Sequence, residues 1–222
     1  MNELTADAEA GDAEACYGLA EAYAWGDGVE CDMEKALQWY LRAAEQGHVW
    51  AQYALGEWYG NGYGIPENGA EAVRWYRAAA EQGFTLAKLH LGDCYFLGKG
   101  VPQDGTEALR IYREIAQEDA VCQLIALCKI GKCHLFGIGT PKNVREAMRC
   151  FREPAEHGSA DAQYHMGLCY EAGDGVPRDA AESAVWYAKA AEQGNEEAAR
   201  HLQALRDSAK APGRNYTSTP NT

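Results

Sequence analysis

Ten residues return, type for type, 36 positions later, and that period constrains the fold more than any other feature of the chain. Ala15, Leu19, Tyr23, Gly26, Gly28, Ala36, Trp39, Tyr40, Ala44 and Gly47 reappear as Ala51, Leu55, Tyr59, Gly62, Gly64, Ala72, Trp75, Tyr76, Ala80 and Gly83. Self-similarity at such a period marks a stacked repeat array, because one unit cannot bury its apolar face alone. A third copy carries Leu91, Gly92, Tyr95, Gly98, Gly100, Ala108 and Tyr112. The fourth is offset by 39, which places a three-residue insertion between Asp119 and Ile130. The fifth returns to 36 with Met166, Gly167, Tyr170, Gly173, Gly175, Trp186 and Tyr187. Leu4, Ala8 and Gly11 match the end of a unit, and Ala198 with Leu202 match the start of one. Residues 1–206 are therefore expected to form one array, five full repeats between two partial ones. The polar, Pro-interrupted stretch 207–222 is expected to be a disordered tail.

Each unit reads as two helices. The first has apolar residues at helical spacing, as in Ala51, Leu55, Trp58 and Tyr59. It ends at a Gly-x-Gly pair, where glycine leaves a helix through positive φ without a Cβ penalty. The second helix holds Ala72, Trp75, Tyr76, Ala79 and Ala80 and stops at Gly83. Gly56 and Ala80 are expected to let helix backbones approach closely. Trp39, Trp75 and Trp186 share one repeat position and read as core.

The pattern A-x-x-x-L-G-x-x-Y-x-x-G-x-G-V, followed by A-x-x-W-Y-x-x-A-A-x-x-G, resembles the Sel1-like repeats, relatives of the tetratricopeptide repeats. Repeat two quotes it almost in full, and the resemblance covers roughly residues 5 to 206. It implies an all-α, right-handed superhelical solenoid of antiparallel helix pairs. It also implies adaptor or scaffold work, often in bacterial signalling, secretion or envelope biology, and it does not imply a reaction. One cysteine-rich branch of the family carries a disulfide within each repeat, at two fixed positions. The eight cysteines here show no such recurring pair. That departure argues against the disulfides and against the β-lactam binding or hydrolysis associated with that branch.

Composition sets further bounds. No apolar run is long enough to cross a bilayer. The first residues are acidic and lack the basic and apolar regions of a secretory signal, so a cytoplasmic protein is expected. A formal net charge of −13 argues against binding a phosphate backbone and favours basic or amphipathic partners. Cys94, Cys133 and Cys169 share a repeat position held elsewhere by Ala22 and Trp58, as buried thiols would. Cys122, Cys128, Cys133 and His134 lie close in sequence. However, Cys128 and Cys133 point about 140° apart on a helix, which suits no metal site. No metal or cofactor is expected. The Gly-x-Gly pairs recur too regularly for a phosphate cradle, the six histidines are scattered, and no catalytic set stands out. His48 and His157 read as solvated.

The expected function is therefore protein binding by a monomer, through a groove lined by the first helix of each repeat. If the tetratricopeptide register applies, Tyr17, Glu21 and Trp25 face it from repeat one, and Trp50, Tyr53 and Glu57 from repeat two. Leu89, Asp93 and Phe96 follow from repeat three, Phe136 from repeat four and Tyr164 from repeat five. Aromatic rings beside carboxylates suit a protein segment that is basic and partly apolar. The insertion is expected to change the curvature of the stack. Three other readings fit the same features: an immunity-type or inhibitory protein blocking one toxin or enzyme, a small-ligand hydrolase, and a self-assembling array.

Overall fold

The structure, a computed structural model, describes residues 2–210. Among them are twelve helices and no strand: α1 (Asn2–Glu9), α2 (Ala13–Trp25), α3 (Met33–Glu45), α4 (Val49–Asn61), α5 (Gly69–Glu81), α6 (Thr85–Leu97), α7 (Gly105–Glu118), α8 (Gln123–Phe136), α9 (Val144–Glu156), α10 (Ala160–Ala172), α11 (Ala180–Glu192) and α12 (Glu196–Lys210). The chain divides into two compact units, Met1–Lys142 and Asn143–Thr222. Within each unit every helix packs on the next in sequence, so the repeats are stacked helix pairs of the all-α solenoid class. Helix α12 continues through residues 207–210, and the rest of the expected tail lies outside the described residues.

Local chemistry sets each boundary. The first helix of a pair ends on a left-handed glycine. At the end of α4, Gly62 has φ 72° and its N–H reaches back to the Trp58 carbonyl. The second helix starts on Asp or Asn, at Asp32, Asn68, Asp104, Asn143 and Asp179. Each side chain accepts from backbone N–H groups of the first turn. The insertion is shared out along the chain. Helices α7 and α8 have 14 residues each where α5 and α6 have 13, and four residues join them where three join α5 to α6. Asp119 closes that turn by accepting from Val121 and Cys122 N–H at 2.9 and 3.0 Å.

Two small-residue positions do different work from the helix-ending and backbone-approach roles read from sequence. In repeats three to five the second glycine of Gly-x-Gly lets the loop rest on the backbone of the preceding repeat, whereas Gly64 in repeat two stands against the Met33 side chain. A Cβ on Gly139 would lie 1.9 Å from the Gly105 carbonyl oxygen, and one on Gly100 would lie 2.0 Å from that of Gly69. Gly56 faces a ring rather than a backbone: its Cβ would meet Tyr76 at 2.4 Å, and Gly92 and Gly167 stand likewise against Tyr112 and Tyr187. Those rings are the core of the stack, with Tyr40, Tyr112, Phe151 and Tyr187 all fully buried at one repeat position. Trp75 and Trp186 are buried and Trp39 half-buried, as core residues. Arg74, Lys189 and Arg42 lie over their respective rings at 4.7, 4.2 and 4.5 Å.

Six of the eight cysteines are buried, Cys150 is half-buried and Cys31 is exposed, and none is bonded to another. Burial pushes the Cys94 thiol up to about 11, and it raises Cys16 and Cys122 as well, which disfavours the reactive thiolate. Ellman's reagent is thus expected to find one fast thiol in the native protein, abolished by Cys31→Ser, and all eight in denaturant. Fewer than eight under denaturing, non-reducing conditions would reveal disulfides.

Candidate functional site

In four of the five repeats an inward tyrosine of the second helix reaches a carboxylate on the first. In the first unit Tyr40 donates to Glu21, Tyr76 to Glu57, and Tyr112 to Asp93 at 2.6 Å. Burial, and then the facing carboxylate, holds all three phenols well above their ordinary range, so they remain donors. The following repeat adds a nitrogen to two of these rungs. Lys129 donates to Asp93 at 2.7 Å, and His90 Nδ1 lies 3.7 Å from Glu57 while its ring stacks on Tyr76. In the second unit Tyr187 donates to Glu171 at 2.6 Å, and His201 Nδ1 lies 2.9 Å from the same carboxylate. The fourth repeat has Lys132 and Phe151 at these positions, and a phenyl ring has no hydroxyl to donate.

A wide concavity lies in repeats one and two. It is a cavity of about 620 Å³ lined by Tyr17, Trp25, Tyr40, Trp50, Tyr53, Trp58 and Tyr63, with Met33, Ala24, Ala54 and Gly64, and with Glu21 and Glu57 as its charged groups. Trp25 is 79% exposed, Tyr63 52% and Trp50 49%, so the rings are not consumed by packing. Trp25 Nε1 donates to Glu21 at 3.1 Å, which fixes that indole at the rim. Trp50 meets Phe84 edge-on at 4.6 Å. Phe84 starts α6 without a side-chain cap bond, at the repeat position where Asp12 and His48 cap α2 and α4. His48 is accordingly not solvated as expected: it caps α4, stacks on Tyr17 at 4.6 Å and approaches Glu14 at 3.0 Å.

The predicted groove residues separate into groups. Tyr17, Glu21, Trp25, Trp50, Tyr53 and Glu57 come together in the one cavity. Tyr53 is half-buried, with its ring 5.1 Å from Phe84 and its hydroxyl 3.4 Å from His90, so it also supports the wall. Asp93 and Phe96 line a smaller cavity of about 190 Å³ with Lys129 and Lys132. Phe136 is exposed. Tyr164 belongs to the second unit, where its ring lies 5.3 Å from His165 and 5.9 Å from His201. Leu89 is a correction: it is only 5% exposed and part of the core. It holds the position of Tyr17, Tyr53 and Tyr164, and the shorter side chain ends inside the layer. The carboxylates need a correction as well. Glu57 and Asp93 are engaged by tyrosine and by His90 or Lys129, and so are not the open acidic groups that sequence suggested.

Met33, Tyr63 and the ring-supporting Phe84 escaped the sequence reading. Tyr63 carried a signal, since the middle of Gly-x-Gly is Asp27, Lys99, Ile138 and Asp174 in the other repeats and aromatic only here. Among the described residues no three His, Cys, Asp or Glu side chains converge as a metal site requires, and no helix is long and apolar enough to cross a membrane.

A family model described as the Sel1 repeat matches residues 13–48, 51–84, 85–119, 124–159 and 160–195. A Sel1 repeat protein from Oxalobacter formigenes is 35% identical, with a TM-score of 0.80 over 92% of this chain and 80% of its own. The protective antigen c5321 of uropathogenic Escherichia coli, which has an SLR fold, is 34% identical with a TM-score of 0.78. That similarity covers 94% of this chain but 44% of the antigen, so the chain spans less than half of the antigen's length. A putative sel1 repeat protein from Klebsiella pneumoniae, 19% identical with a TM-score of 0.55 over 92% of this chain and 98% of its own, shares the fold alone. No curated protein matches the chain.

Proposed function

We propose, from the premise that this chain belongs to the Sel1 repeat family, that it is a protein-interaction module whose principal binding surface is the aromatic cavity of repeats one and two. The segment it takes is partly apolar and basic. The supporting observation is the grouping of Trp25, Trp50 and Tyr63, all about half exposed or more, around that cavity. Stacking does not require rings there. The position of Trp25 holds Asn61, Leu97, Phe136 and Ala172 in the other repeats, and that of Trp50 holds Glu14, Leu86, Ile125 and Asp161. Large amphipathic rings that stay exposed are the common anchors of protein interfaces. The overall negative charge favours approach of a basic segment.

Trp25→Ala with Trp50→Ala tests this reading. The double variant is expected to bind at least about tenfold more weakly to the protein that wild type captures from host lysate, as loss of interface tryptophans does. Helical circular dichroism should be unchanged, because both side chains are largely exposed. Undiminished capture by the double variant would remove the cavity from the interaction. Adaptor work and inhibition of a single enzyme both use such a surface, and the identity of the captured protein separates them.

A further inference from the structure

The first rung of the carboxylate series lacks the nitrogen that the others have. His90, Lys129 and His201 occupy one repeat position and approach Glu57, Asp93 and Glu171 respectively. The residue at that position facing Glu21 is Ala54. Glu21 is met by two neutral donors, Tyr40 hydroxyl and Trp25 Nε1, and among the described residues no Lys, Arg or His nitrogen is shown in ion-pair contact with it. The cavity opens at this vacancy: Ala54 and Glu21 both line it, and no cationic side chain does. Apart from its two glutamates its wall is aromatic and apolar, so a cation entering it would meet a carboxylate and several ring faces together.

We infer that the cavity takes an arginine side chain of the partner segment, its guanidinium standing at Glu21 in the place that Lys129 fills at Asp93. This rests on the protein-binding reading above and names the anchor. Arginine suits the site better than lysine. A guanidinium stacks flat on indole while forking onto a carboxylate, and a compact, strongly hydrated ammonium does not. The chain already uses that stacking at Arg42 over Trp39 and Arg74 over Trp75.

The test needs no natural partner. The probes are an acetylated, amidated hexapeptide Leu-Arg-Leu-Leu-Arg-Leu and its counterparts with lysine or the neutral isostere citrulline, followed by the indole N–H signals of Trp25 and Trp50. The arginine peptide is expected to shift both signals and to bind wild type at least about tenfold more tightly than the citrulline peptide. Glu21→Gln and, independently, Ala54→Lys, which supplies the missing cation internally, should each collapse that ratio toward one. Equal affinity of the arginine and citrulline peptides for wild type would overturn the anchor while leaving the cavity a binding surface. Tighter binding of the lysine peptide, or of tetramethylammonium chloride alone, would also overturn it, in favour of lysine or a small free cation. If no probe perturbs the indoles the anchor is wrong, and the tryptophan double variant still decides the protein-binding reading separately.

Discussion

Alanine at Gly139 is expected to destabilise the first unit by about 3 kcal/mol, a fall in melting temperature on the order of 10 °C. Two costs combine there. Gly139 has φ 71°, a left-handed conformation that penalises any Cβ by about 1–2 kcal/mol. The Cβ would also stand 1.9 Å from the Gly105 carbonyl oxygen, and this is backbone that cannot rotate away. Gly83→Ala separates the two. Gly83 has φ 84° and nothing within 4 Å of its would-be Cβ, so it pays the conformational cost alone. Thermal melts of both variants should therefore differ, with Gly139→Ala the lower by several degrees. Equal melting temperatures would mean that the loop of one repeat separates from the helix below it without cost.

Tyr112→Ala should rank with it, at about 4 kcal/mol, because it empties a fully buried aromatic site. The ring fills the space left by Gly92, whose Cβ would come within 2.6 Å of it, so no neighbouring side chain stands ready to collapse into the void. Tyr112→Phe should cost only about 1 kcal/mol, the worth of one hydrogen bond. Asp93 keeps Lys129 in that variant, and Phe151 already serves as a fully buried ring without a hydroxyl at the same repeat position. Urea denaturation of the two variants distinguishes ring from hydroxyl. A phenylalanine as damaging as alanine would make the bond to Asp93 the principal contribution.

The fold was legible because its cause is local and repeated: a 36-residue period, helix-spaced apolar residues and paired glycines recur in register, and each copy restates the last. The site was legible only in part. Rings at non-consensus positions such as Trp25 and Trp50 stood out because stacking does not call for them. The state of the carboxylates did not stand out, because Glu57 meets Tyr76 from 19 residues away and His90 from 33. Nothing in a helical period announces such a pairing. Leu89 was misplaced for a simpler reason. Register specifies the direction of a side chain but not its length, and at that position tyrosine reaches the cavity wall while leucine does not.

The fifth repeat keeps its tyrosine–carboxylate bond by other means. Leu168 stands where Glu21, Glu57 and Asp93 stand in their repeats, and Glu171, one helical turn later, bonds Tyr187 in its place. A column-by-column profile of this repeat would score the carboxylate as lost there, although the contact is intact. The heritable unit is thus the filled point in space rather than the letter in the column. Kinship between repeats that have drifted apart is better measured by superposing oxygen atoms than by counting identities.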